Sequence, residues 1–307
     1  MKPLVSTFKT RKQWLKARLG SIGASDAAKI LGESRFGDPI SLWMVKTGRA
    51  EEKVVNQEAV EFGNILQPVV ASVFSKKTGR TVRNPEGVKN GTYVIHQHPK
   101  LSFLTASLDY EQIAKDKPGK GALEIKTGHF YTTKLWDDGG APEEYLIQLQ
   151  HQLGVTGYQW GSLAVLLGNQ EFRWLDVERD DEFIELLFEV EKEFWEHVLN
   201  DVPPPPSGEK SIDALARLYK VGNGASVLLP GSFVDIDAEY QSVKKQISDL
   251  EKREKELKAK IQAAIGKATF GIVPGGRATY SWKEVNKRSY TVEATTYREL
   301  RRKEKKA

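Results

Sequence analysis

With 307 residues, 39% of them hydrophobic, and a mean hydropathy of −0.47, the chain reads as a globular protein with one large core and a smaller appendage. No apolar run approaches the ~20 residues that a membrane helix needs, and the opening MKPLVSTFKTRKQW lacks the apolar stretch of a secretion signal, which predicts a cytoplasmic protein. The lack of cysteine excludes disulfides and thiolate metal sites, and the net charge of +5 is unevenly spread: residues 1–50 carry +7, residues 210–307 carry +9, and the middle carries −11.

Residues 13–19 read as a short helix closed by Gly20, with Trp14 as its apolar anchor. In the following Ser21-Ile22-Gly23-Ala24-Ser25-Asp26, Ser25 is a good N-cap for a helix over 26–31 that Gly32 stops. A helix start preceded by small residues is also a seat for phosphate, with Arg18 upstream to supply charge, although a plain cap explains the same residues. Residues 39–48 predict another helix. Residues 56–77 predict a long amphipathic one, with Val60, Ile65, Leu66, Val69, Val70 and Phe74 inward. Gly63 implies close packing or a nearby ligand, and Pro68 a kink or a break. Short strands are expected at 81–82 and 87–96.

The stretch 102–127, SFLTASLDYEQIAKDKPGKGALEIKT, reads as two strands, 103–113 and 122–127, joined by turn residues. Glu124 and Lys126 are two apart and share one face, while Leu123 and Ile125 take the other. The hairpin brings Asp109 alongside them. Two hard oxygen ligands and an ammonium in one small volume suit Mg²⁺ or Mn²⁺. The same pattern also fits an exposed hairpin with an ordinary surface acid and base. An acidic centre between basic ends fits a metal-binding core whose flanks grip a polyanion, though solvated charged helices give the C-terminal lysines equally well.

Helices follow at 130–136 and 142–156. The second buries Leu146, Leu149 and Leu153 and turns Tyr145, Gln148 and Gln152 to a polar face, whose amides can meet a substrate or simply face water. Apolar strands at 159–167 and 170–177 flank Gly168-Asn169, a hairpin signal. A helix over 180–200 turns Phe183, Leu186, Leu187, Val190, Phe194, Trp195 and Val198 inward. The run Pro203 to Pro206 is stiff and marks the expected boundary between a domain over 1–205 and an arm over 206–307. In the arm, Tyr240, Val243, Ile247, Leu250, Glu254, Leu257, Ile261 and Ala264 alternate three- and four-residue steps, as in a coiled coil or helical hairpin. A small hairpin around Pro274-Gly275-Gly276 and a basic tail complete the chain.

This order of elements, taken with its local motifs, resembles the YqaJ-type phage recombination exonucleases, relatives of lambda exonuclease within the PD-(D/E)XK superfamily. Trp14-Leu-Lys-Ala-Arg18-Leu-Gly20-Ser-Ile22-Gly-Ala24-Ser25 is similar to the family's W-x3-R-x-G-x-I-x-A-S opening, and Phe62-Gly63-Asn64-Ile65-Leu66-Gln67-Pro68 to its G-x3-E-P helix. Ala106-Ser107-Leu108-Asp109 and Leu123-Glu124-Ile125-Lys126 resemble its two ligand strands, and Tyr145-Leu-Ile-Gln148-Leu-Gln150 its Y-x2-Q-x-Q helix.

The resemblance implies a restriction-endonuclease-like α/β core, a mixed sheet flanked by helices, that digests linear duplex DNA 5′→3′. Asp109, Glu124 and the Ile125 carbonyl would hold one or two Mg²⁺ ions (Mn²⁺ as a substitute). Lys126 would orient or deprotonate the attacking water and stabilise the phosphate, and Gln148 would hold the nucleophile or the scissile strand. Arg18 and Ser25 would receive a terminal 5′-phosphate. A ring-shaped homotrimer, a single-strand annealing partner and a phage or prophage origin in a bacterial host are further implications. The sequence departs from the family at Gln67, where a Glu is usual. Three readings are open: a natural variant with one metal weakened, an introduced substitution that traps substrate, or a degenerate nuclease, the last opposed by the intact Asp109, Glu124 and Lys126. An endonuclease and a DNA-end-binding protein disabled at Gln67 are the competing functions. The arm is expected to join copies of the chain or to hold DNA.

Overall fold

The computed structural model describes residues 2–51, 56–85, 92–168, 170–286, 298–300 and 302. The chain divides into two compact units, 1–220 and 221–307. The first unit runs β1 (Leu4–Phe8), α1 (Arg11–Leu19), β2 (Ile22–Gly23), α2 (Ala24–Ile30), α3 (Pro39–Lys46), α4 (Gln57–Thr78), β3 (Thr81–Arg83), β4 (Tyr93–Gln97), β5 (Leu104–Ala106), β6 (Tyr110–Ile113) and β7 (Gly121–Gly128). A 3-10 helix (Phe130–Gly139) leads to α5 (Glu143–Thr156), β8 (Trp160–Leu167), β9 (Glu171–Glu178), α6 (Asp181–Leu199) and α7 (Lys210–Leu218).

Two sheets result, ordered β1-β4-β5-β2 and β3-β6-β7-β8-β9. The second is mixed. β6 and β7 form an antiparallel hairpin, whereas β7 and β8 are parallel, as the intervening helix α5 requires. Helices cover both faces of β7, which explains its unbroken run of buried residues. Leu123 and Ile125 pack on Val70, Ala71 and Phe74 of α4. Ala122 packs on Leu149 and Leu153 of α5. The two-residue period therefore turns Glu124 and Lys126 towards α5. Helix α5 meets α6 at Gly154, where a Cβ would lie 2.5 Å from the Phe188 ring. Deeper still, His151 bridges the Glu191 carboxyl on α6 at 2.7 Å and the Thr105 carbonyl on β5 at 2.9 Å, tying both helices to the first sheet.

Several expectations are corrected. Residues 103–113 are not one strand: β5 and β6 belong to different sheets, and Asp109 sits in the crossing between them. The Ser107 hydroxyl donates to the Val94 carbonyl at 2.9 Å at this crossing. The cap of α2 is Gly23 rather than Ser25, because the Asp26 carboxylate reaches back to the Gly23 N–H at 3.1 Å. Helix α4 runs unbroken through Pro68 and buries only Val70, Ala71 and Phe74, leaving Val60, Ile65 and Val69 exposed. On α6, Leu186 and Val190 are exposed and the inward positions are Ile184, Leu187, Glu191 and Phe194.

The boundary falls later than the proline run. Helix α7 packs with the first unit through Ala214, in one apolar cluster with Trp43 of α3. Strand β1 is an addition that its sequence did not announce. The Asn169 turn position, residues 87–91 of the expected 87–96 strand and most of the basic tail lie outside the described residues, while the second half of that strand is β4.

The second unit contains α8 (Phe233–Ile265) and an antiparallel hairpin of β10 (Phe270–Ile272) and β11 (Thr279–Ser281). This is the hairpin expected around Pro274-Gly275-Gly276, and Gly275 and Gly276 both take positive φ in its turn. Among the described residues no helix is long and apolar enough to cross a membrane.

Candidate active site

The crossing between the sheets places the Asp109 carboxylate against β7, where its Oδ2 accepts the Ile125 N–H at 2.8 Å. Next to it, the Glu124 carboxylate is surrounded by three donors. Oε1 accepts from Lys126 Nζ and Gln148 Nε2, each at 2.6 Å, and Oε2 accepts from Gln152 Nε2 at 2.7 Å. Lys126 Nζ also donates to Gln148 Oε1 at 2.9 Å and lies 4.7 Å from the Tyr145 ring centre. Tyr145, Gln148 and Gln152 occupy one face of α5 at steps of three and four. That face meets a buried carboxylate, not water. Gln150, at the motif's last position, points elsewhere, to the Glu178 carbonyl and the Asp180 N–H.

Loss of solvent raises the Asp109 carboxyl to about 7, with the neighbouring Glu124 adding to the rise, while Lys126, the Ile125 N–H and the nearby Gln67 side chain oppose it. Burial alone would depress Lys126. The Glu124 and Asp109 carboxylates outweigh it and raise the ammonium above the usual lysine value, so the side chain remains charged at neutral pH. Gln67 lies near Asp109 and helps to favour its charged form, where a Glu would face it with a second negative charge. Gly63, one turn earlier on α4, would place a Cβ 3.6 Å from Thr127 Oγ1, an ordinary contact that does not require glycine.

A hard divalent cation fits this donor set: two crowded carboxylates, Glu124 buried and Asp109 half-buried, the latter pushed towards its protonated form, with amide oxygens close by. Asp109, Glu124 and the Ile125 carbonyl are the groups that would hold it. Among the described residues no cluster of three or more His, Cys, Asp or Glu side chains forms, as expected when Gln67 stands where a third acid would.

The second group of expected residues also comes together. Arg18 donates to Ser25 Oγ at 2.9 Å and stacks 4.6 Å above the Trp14 ring. Beneath them Asp26 is ion-paired with Lys46 at 2.7 Å, both side chains buried, and Lys46 also donates to the Arg18 and Ser21 carbonyls. Burial by itself would raise Asp26, but Lys46, Lys29 and Arg18 hold it well below the usual carboxylate range. The two groups are continuous. Trp14 Nε1 donates to Ser107 Oγ at 3.1 Å, and Gln152 Nε2, bound to Glu124, reaches the Ser107 carbonyl at 3.4 Å.

Sequence reasoning placed Gln152 on the polar face of α5, to meet a substrate or water, and missed that it is fully buried against Glu124. It also missed Arg35, which pairs with Glu144 and lies 5.6 Å from the Tyr145 ring, steadying the first turn of α5.

The YqaJ-like viral recombinase domain matches residues 13–159, a span that includes every site residue named above except Glu178 and Asp180, the partners of Gln150. The uncharacterized protein YqaJ of Bacillus subtilis (strain 168) is 34% identical over 281 residues, covering 90% of this chain and 84% of that protein. The uncharacterized protein R354 of Acanthamoeba polyphaga mimivirus is 28% identical over 156 residues, covering 47% of this chain and 26% of that protein. Among solved structures, the alkaline exonuclease LHK-Exo from Laribacter hongkongensis aligns at 23% identity with a TM-score of 0.49, covering 62% of this chain and 93% of that one. Similarity to YqaJ along nearly the whole length, together with the matched domain, means that the chain belongs to the YqaJ-like viral recombinase family.

Proposed function

We propose that the protein is a Mg²⁺-dependent (or Mn²⁺-dependent) 5′→3′ exonuclease that digests one strand of linear duplex DNA and leaves 3′ single-stranded tails for an annealing partner. The observation that carries this reading is the coupled cluster of Asp109, Glu124, Lys126 and Gln148 at the sheet crossing. A bound cation would supply charge to neutralise phosphate oxygens and to acidify water.

The chain's own residues supply the rest. Asp109 and Glu124 give the negative charge that attracts the cation. Lys126, held cationic, stabilises charge developing on the phosphoryl oxygens and orients the water, which favours that role over proton abstraction. Gln148 fixes the Lys126 ammonium against Glu124. Water attacks phosphorus and the O3′–P bond breaks, so the released nucleotide takes a 3′-hydroxyl and the shortened strand a new 5′-phosphate. Arg18 and Ser25 would hold that phosphate, which makes each product end the next substrate end. A ring-shaped homotrimer around the DNA is part of this reading, through family resemblance.

End-labelled linear duplex with 5′-phosphate or 5′-hydroxyl, compared with closed circular plasmid, tests it. Release of mononucleotides from the phosphorylated linear duplex alone is expected. Cutting of the circle would instead establish the endonuclease. The lack of a third acid at Gln67 favours one second reading, a DNA-end-binding protein with little turnover. That reading gains if the natural sequence is inert and Gln67→Glu releases nucleotides.

A further inference from the structure

Helix α8 spans 33 residues and buries none of them. Most helical stability in proteins comes from packing an apolar face, and among the described residues α8 meets its own unit chiefly at its two ends, where Asp237 holds Arg302 and Ile265 lies beside Gly271 of β10. Its apolar stripe nonetheless keeps one repeat throughout. Phe233 and Ile236 extend the steps of Tyr240, Val243, Ile247, Leu250, Leu257, Ile261 and Ala264 upstream by a heptad, interrupted only by Glu254. Ile247 is 50% exposed and Leu250 70%. A stripe of period 3.5 on a long helix is the seam of a coiled coil, and it fixes which residues of a partner helix would face it.

We infer that α8 pairs antiparallel with α8 of a second copy of this chain. Charge selects both occupant and direction. The first third, 233–243, carries Asp235, Asp237 and Glu239 and no base, whereas 255–265 carries Lys255, Lys258 and Lys260 against Glu256. With the helices fully overlapped and antiparallel, Ile247 faces Leu250, Tyr240 faces Leu257, and bulky Phe233 faces small Ala264. The flanking pairs are then Glu239 with Lys260 and Lys244 with Glu251, each occurring twice by symmetry. Asp237, which already holds Arg302 at 2.8 Å, comes opposite Lys258. No flanking pair is like-charged, and Glu254 lies against Val243 beside Lys244. The parallel arrangement would stack Glu254 on its own copy and bring Arg253 against Lys258. The inference does not depend on the nuclease reading, and because a two-fold pair cannot close within a threefold ring, it would join two such rings.

The test uses the full chain, and the absence of cysteine makes it clean. Light scattering should give at least twice the mass for the natural sequence as for Ile247→Glu/Leu250→Glu. Lys244→Glu should weaken the assembly and Lys244→Glu/Glu251→Lys restore it. Those two positions are two turns apart on one helix, so such rescue requires contact between copies, and in the parallel arrangement they do not meet. On mixing Tyr240→Cys with Leu257→Cys protein, oxidation should link 240 to 257. Linkage of 240 to 240, or a mass unaffected by the glutamates, would overturn the inference. An unaffected mass accompanied by weaker duplex binding would assign the stripe to DNA and overturn it equally.

Discussion

The amide of Gln152 donates to Glu124 Oε2 at 2.7 Å from a position with no exposure to solvent, so a neutral side chain on α5 fixes the orientation of a carboxylate on β7. The opposite oxygen is bound by Lys126 and Gln148. Glu124 thus has its lone pairs directed before any ligand arrives. Partners of this kind around ligating groups typically matter roughly 10–100-fold in affinity or activity. Gln152→Leu should reduce nucleotide release by about that factor while far-UV circular dichroism stays unchanged. A rate within twofold of the natural protein would remove Gln152 from the account.

Gln67→Glu replaces a neutral neighbour of Asp109 by a third carboxylate. Without cation the variant should melt lower than the natural protein, because like charges in one buried site disfavour ionisation. With Mg²⁺ or Mn²⁺ it should gain more in melting temperature than the natural protein does. Thermal scans of both proteins with and without cation decide this. An equal gain would mean that Gln67 does not face the cation.

Arg18→Ala removes the guanidinium from Ser25 and from the Trp14 ring but leaves Asp109 and Glu124 in place. The variant should lose its preference for 5′-phosphate over 5′-hydroxyl ends by at least about tenfold, which corresponds to ~1.4 kcal/mol, within the range of a charge-assisted hydrogen bond. Retained preference would place the terminal phosphate elsewhere.

Asp26 tests the scaffold rather than the chemistry. Its folded carboxyl is held below the ordinary value by Lys46, Lys29 and Arg18 against the opposing effect of burial. A depressed carboxylate contributes stability that is present above its unfolded value, about 3.9, and lost as pH falls through the folded one. Urea midpoints of the natural protein should therefore fall on acidification below about pH 4–5. Asp26→Asn should be less stable by about 3–5 kcal/mol at neutral pH, as when one partner of a buried pair is removed, and should respond less to acid. Parallel acid responses would contradict this.

The strand carrying Glu124 and Lys126 was legible because its two-residue period is local. The turn after Ile113 and the long helices were legible for the same reason. The environment of Asp109 was not. Whether 103–113 continues as one strand or changes sheet depends on β4, β2 and β7, which the segment meets only after folding. Amphipathicity likewise identified the polar face of α5 without revealing whether water or a buried carboxylate would meet it. Ser25 looked like a cap because its residue type suits one, yet Asp26 is placed to do the work, and the Ser25 hydroxyl is left to Arg18. The α4 stripe was overstated because apolar residues such as Ile65 can remain on a surface at modest cost.

Titration calorimetry with Mn²⁺ on the natural protein and on Asp109→Asn tests the central claim without relying on catalysis. The account predicts at least one saturable site that Asp109→Asn abolishes, with both proteins folded by circular dichroism. Equal binding by the two would contradict it, because the crossing between the sheets would then not be where the cation is held.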